Sequence, residues 1–154
     1  MTRSRNAPAY EKDFVAWLED QAQRARRGEI DDLDLENIAE ELEGMARSDR
    51  REIRNRLTAL LIHLLKYMVQ PRRRSSDWIG TIGEQRRRIA TVIDDSPSLR
   101  SFTASILDQC YADARSGAAL ETGVPESTFP EHCPFAADDV LDPAWLPDRP
   151  RVTS

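Results

Sequence analysis

The sequence predicts an all-α fold, a compact bundle of about five helices with a proline-rich C-terminal strap packed on it. Three observations predict it. Apolar residues recur at three- and four-residue steps along almost the whole chain, which is the period of a helix face. No stretch alternates apolar and polar residues at the two-residue period of a strand, and no internal repeat appears. Residues that start and stop helices fall at the ends of the periodic segments.

The first segment carries Tyr10, Phe14, Trp17, Leu18, Gln21 and Ala25 on one side. Glu11 and Asp13 open it and Arg24, Arg26 and Arg27 close it, the order that a helix dipole favours, and Gly28 follows as a left-handed stop. Asp34 is placed to cap a second helix with the seam Leu35, Ile38, Leu42 and Met45 and an acidic outer face of Glu36, Glu40 and Glu43. That seam fails at Asp49 and Glu52. A new stripe starts at Ile53 and runs through Leu57, Leu60, Leu61, Leu64 and Met68, with Ser48 as its cap. The pattern therefore predicts a break or kink near Arg47–Ser48, with one continuous helix as the alternative. Gln70-Pro71 ends the stripe, because proline disfavours helix in the residue before it.

Ser76 or Asp77 is expected to cap the next helix, with Trp78, Ile82, Ile89, Val92 and Ile93 on its apolar side. After "DDSPS", Ser96 as cap and Pro97 as first helical residue begin a helix with the stripe Leu99, Phe102, Ile106, Cys110 and Ala114. It ends at Thr122-Gly123. From Val124 onward six prolines and scattered aromatics predict an extended strap. Phe129, Phe135, Leu141 and Trp145 would plug gaps between helices, and a short helix is expected at 136–141. The domain reading is a flexible N-terminus over 1–9, a helical bundle over 10–123, and a strap over 124–154 that belongs to the same domain and frays at its end.

At 154 residues, of which 40% are hydrophobic and 32% charged, the chain has the composition of one folded domain. The longest apolar run, 59–69, is interrupted by His63 and Lys66 and is too short to span a membrane. "MTRSRNAPAY" has no apolar segment of a secretory signal, so a cytoplasmic location is expected, and with it two reduced thiols at Cys110 and Cys133.

Charge is arranged in blocks. Residues 1–46 hold 6 basic and 12 acidic side chains, 47–100 hold 13 and 6, and 101–154 hold 3 and 9, giving net charges of −6, +7 and −6. The basic middle can face an external anion or pack against its acidic flanks. The first option names a candidate anion or nucleic-acid patch: Arg72, Arg73 and Arg74 before a helix N-terminus, Trp78 as a stacking face, and Arg86, Arg87 and Arg88. Three successive helical residues span 200°, however, so Arg86 to Arg88 cannot all face one ligand.

A second candidate is a polar cluster of Glu41, His63 and Lys66. On a helical wheel His63 sits about 80° from the centre of the stripe through Ile53, at the flank of the core. The Glu-x-x-His pattern of carboxylate-bridged metal bundles is missing, because residue 60 is leucine. Cys110, His63, His132 and Cys133 match no zinc spacing, and no nucleophile elbow, phosphate loop or dinucleotide turn occurs. No catalytic, metal or cofactor site is assigned, and the chain reads as an enzyme less well than as a non-enzyme.

The segments "YEKDFVAWLEDQAQRARRGEIDDLDLENIAEELEGMARSDRREI", "HLLKYMVQP", "DWIGTIGEQRRRI", "DDSPSLR" and "FPEHCPF" together resemble a bacterial family known as domain of unknown function 29. The resemblance runs from Tyr10 to Leu141 and implies an all-helical cytoplasmic domain. It implies no activity, cofactor or catalytic residues. The function expected is a non-enzymatic protein-interaction or regulatory module, a homodimer or one half of a hetero-complex with no membrane association. The alternatives are an anion or nucleic-acid binder through the arginine patch, or a metal- or carboxylate-dependent enzyme around Glu41 and His63.

Overall fold

The apolar stripes of the sequence lie on helices in the computed structural model, which describes residues 9–148. The α-helices are α1 (Phe14–Arg26), α2 (Leu35–Val69), α3 (Ser76–Asp95), α4 (Leu99–Ser105), α5 (Leu107–Thr122) and α6 (Ala137–Leu141). Single 3₁₀ turns lie at Ile30–Asp32, Pro71–Arg73 and Glu126–Thr128, and the described residues contain no strand. The architecture is all-α. The segments expected to be flexible or frayed, 1–9 and the end of the strap, fall outside the described residues except for Ala9. None of the described helices is long and apolar enough to cross a membrane.

Contacts divide the chain into two units at Ser48/Asp49. In the first, Asp13 caps α1 by accepting from the Ala16 N–H at 3.1 Å. Gly28 takes the left-handed φ of +74° that lets the chain leave α1. Asp34, directly before α2, is the clasp of this unit. Its carboxylate accepts from the Trp17 indole at 3.2 Å and from the Asn37 amide at 2.8 Å, and its own N–H donates to Gln21 Oε1 at 2.8 Å. Trp17 is buried, with the Tyr10 ring set edge-on 4.8 Å away.

The second unit is built around the later part of α2, where Ile53, Leu57, Leu60, Leu61, Leu64 and Leu65 are at most 1% exposed. Ile82, Ile89 and Ile93 of α3 and Cys110, Tyr111, Ala114 and Ala118 of α5 belong to the same core cluster. Gly117 on α5 allows a close approach to α2, since a Cβ there would stand 2.8 Å from Ile62 Cδ1. Among residues 124–148, Phe129, Phe135, Val140 and Leu146 are buried, while Leu141 and Trp145 are half-buried. Side chains of α3 and α5 satisfy carbonyls of this stretch, in its loops and in the short helix α6. Arg86 Nε donates to Val140 O at 2.8 Å, Arg115 Nε to Phe129 O at 3.2 Å, and the Tyr111 hydroxyl to Pro130 O.

Four local expectations are corrected. The break near Arg47–Ser48 does not occur, and α2 runs unbroken for 35 residues. Asp49 is exposed, so a charged residue in line with the seam carries no desolvation cost, and the stretch 46–52 contains no proline or glycine to stop a helix. The cap of α3 is Ser75 rather than Ser76 or Asp77, and its hydroxyl accepts from the Trp78 N–H at 3.3 Å. Ser96 uses its carbonyl, not its hydroxyl, to accept from the Leu99 N–H at 2.9 Å, and α4 begins after Ser98. The single helix expected beyond Pro97 is divided at Ile106. Thr103 and Ser105 hydroxyls donate to carbonyls of Leu99 and Phe102 at 2.7 and 2.6 Å just before the division, and no proline or glycine marks it in the sequence.

Leu61→Ala should lower the unfolding free energy by about 2–5 kcal/mol through cavity formation. Arg86→Met should cost about 1–3 kcal/mol by leaving the Val140 carbonyl unpaired. Urea unfolding followed by circular dichroism checks both through a lower midpoint.

Candidate docking groove

The seam Leu35, Ile38, Leu42 and Met45, expected to be core, is largely open to solvent. Leu35 is 49%, Leu42 62% and Met45 66% exposed. With Trp17, Leu18, Ala22 and Ala25 of α1, the side chains of Ile38, Leu42 and Met45 on α2 line a groove of about 230 Å³ within residues 9–48. Val15 and Leu18 extend the apolar surface along α1 at 62% and 40% exposure.

Two polar residues also border the groove, and both are turned to partners of their own. Gln21 is buried and accepts the Asp34 N–H. Glu41 accepts a hydrogen bond from the Tyr10 hydroxyl, which holds that phenol above its usual range. What faces solvent is therefore hydrocarbon, on a helix pair whose exposed side chains include Glu36, Glu40 and Glu43. Arg47 approaches Glu40 and Glu43 at 4.0 Å, an exposed contact of little energy. Residues 9–48 hold 12 acidic and 5 basic side chains, net −7. A contiguous apolar surface of this kind is the mark of an interaction site.

The arginine patch is dispersed. Arg72 and Arg73 are exposed on the 3₁₀ turn after α2. Arg74 is tied down, donating to Tyr67 O at 2.8 Å, pairing with Asp148 at 2.7 Å and covering the Tyr67 ring at 4.0 Å. Trp78 is half-buried beneath the Lys66 ammonium, 5.2 Å from its ring centre. Arg86 is 5% exposed and bonded to backbone carbonyls, and burial lowers its pKa. Arg87 is exposed, and Arg88 pairs with Glu84 at 3.0 Å. The seven residues thus do not share one open face.

Glu41, His63 and Lys66 each have a neighbour of their own, Glu41 accepting from the Tyr10 hydroxyl. His63 Nδ1 lies 2.9 Å from Ala59 O on its own helix, and Lys66 Nζ lies 3.3 Å from Glu121. Among the described residues no group of three or more His, Cys, Asp and Glu could hold a metal ion. Both cysteines are free thiols, Cys110 beside Arg54 O at 3.8 Å and Cys133 beside Phe135 O at 3.5 Å. Burial raises both thiol pKa values by disfavouring the thiolate.

A family model described as Domain of unknown function DUF29 matches residues 9–146. The chain belongs to that family. No curated protein and no solved structure matches it. The DUF29 match starts at Ala9 and so takes in both the groove-bearing helix pair and the core of the second unit.

Because Leu42 is already in water, Leu42→Ser should change the unfolding free energy by under about 0.5 kcal/mol, in contrast to Leu61→Ala. It should also reduce the fluorescence gained by a hydrophobic dye. The raised thiol pKa values give a second expectation. At pH 8, below the ordinary thiol value of about 8.5, both cysteines should alkylate more slowly in the native chain than in urea, and Cys110 most slowly. Since the folded state holds these protons more tightly, their contribution to stability should fall as pH rises past that value. Mass spectrometry of iodoacetamide-treated protein reads the first effect.

Proposed function

We propose that this chain is a non-enzymatic protein-interaction module of the bacterial cytoplasm, with regulatory or assembly purpose, and that it docks partners through the groove of residues 9–48. One observation carries the reading. Leu18, Leu42 and Met45, side chains of the type that fills cores, stand in water along a groove whose polar neighbours are engaged elsewhere. Covering side chains of this size is worth up to about 1.5–3 kcal/mol each, a gain available to any partner of matching shape. Trp17 and the Asp34 clasp fix the two walls beforehand, which lowers the ordering cost of association.

The arginine reading has less support, since Arg86 is buried and Arg74 is paired, which leaves Arg72, Arg73, Arg87 and Arg88 exposed on two separate elements. The enzyme reading has less support, since Glu41 accepts from the Tyr10 hydroxyl and His63 Nδ1 lies beside the Ala59 carbonyl of its own helix.

The test compares wild type with the Leu42→Ser, Met45→Ser double variant. Light-scattering chromatography reports self-association, and capture from an extract of the source cells reports other partners. Loss of an assembly or of a captured protein in the variant is the expected outcome. Identical behaviour of the two proteins in both assays overturns the proposal.

A further inference from the structure

We infer that the occupant of the groove is a basic amphipathic helix supplied by a different protein. The inference rests on the docking function just proposed and adds the chemistry of the partner. Both walls of the groove are helices, whose backbone groups are already paired within each helix, so neither offers a free edge to an extended strand. A helix brings its own backbone bonds satisfied and can enter a dry groove. The anchors on α2, Ile38, Leu42 and Met45, step by four and three residues, and exposed Leu35 continues the line one step beyond the groove, about 15 Å in all. A partner with apolar residues at the same spacing can lay two to three turns along them.

Charge selects the flanks of that helix. Residues 9–48 carry net −7, and Glu36, Glu40 and Glu43 are exposed on the helix that bears the anchors. Lysine or arginine beside the apolar stripe of the partner meets this field favourably, whereas acidic flanks are repelled.

A second copy does not supply such a helix. Pairing groove to groove would set −7 against −7. The basic stretch of α2 after Ser48 has its stripe buried, with Ile53, Leu57 and Leu60 at most 1% exposed, and Ile82 and Ile89 of α3 are equally covered. Among the described residues of the second unit, the exposed large apolar side chains, Ile79 and Leu120, lie on different helices. Residues 1–8 and 149–154 contain only Met1 and Val152 as large apolar side chains, too few to fill the groove.

The experiment uses the full chain and three synthetic peptides of about 18 residues, five helical turns. One is a Leu/Lys peptide with leucines on one helical stripe, the second replaces lysine by glutamate, and the third scrambles the Leu/Lys order to destroy the stripe. Binding to wild type and to Leu42→Ser is measured by calorimetry at roughly physiological ionic strength. Leu42→Ser changes no charge, and its circular dichroism verifies folding. The Leu/Lys helix is expected to bind at least about tenfold more tightly than the other two, and to lose about tenfold in Leu42→Ser.

Equal binding of the scrambled peptide, or no loss in Leu42→Ser, overturns the inference, because charge alone would then be responsible. If the Leu/Glu helix binds as well and is sensitive to Leu42→Ser, the groove docks helices but the basic occupant is wrong. Light scattering that shows a dimer lost in Leu42→Ser likewise overturns this inference and leaves the docking function standing. Absence of binding by all three peptides overturns the inference. The docking function falls with it only if the Leu42→Ser, Met45→Ser variant also shows no loss of self-association or of a captured partner.

Discussion

The stripe of α2 from Ile53 to Leu65 is the constraint to which residues 49–148 answer. Six of its leucine and isoleucine side chains are withdrawn from water, more than one neighbouring helix can cover. α3, α5 and the segment after Val124 each contribute buried residues to that one cluster. Close packing follows where the covering residue is small, as at Gly117 against Ile62. The last part of the cover is not a long helix, so its carbonyls need donors from elsewhere. Arg86, Arg115 and Tyr111 provide them, each reaching from the end of a long side chain to a backbone oxygen.

Much of the basic middle of the chain is occupied by this internal work. Arg74 meets Asp148 and Lys66 meets Glu121, so acidic residues of the last third stand against basic residues of the middle, while Arg115 meets Glu126 within the last third itself. Aromatic rings join in, Tyr67 under Arg74 and Trp78 under Lys66. These pairs are partly exposed and individually worth little. Their main consequence is to place side chains that a linear reading would assign to an external anion.

Residues 9–48 obey a different logic. Polar groups there are satisfied internally through Asp34, Gln21, Tyr10 and Glu41, while leucine and methionine are left outside. This inversion of the usual rule that apolar residues hide and polar residues face water is what gives the helix pair a docking surface. The same α2 helix supplies both behaviours, buried after Ser48 and open before it.

Helical class, the segment ends at Gly28, Pro71 and Gly123, and the stripe Ile53–Leu64 follow from the sequence alone, because they depend on local period and on backbone preferences of single residues. The continuity of α2 through Asp49 and the division at Ile106 do not. The first depends on whether a charged position meets water, and the second has no proline or glycine to announce it. The fate of an apolar stripe is likewise not local. The three- and four-residue steps of Ile38, Leu42 and Met45 are of the same kind as those of Leu57, Leu60 and Leu64, yet the first set is largely uncovered and the second buried. Periodicity states which face of a helix is apolar. Only the tertiary arrangement decides whether anything in the same chain is left to cover it.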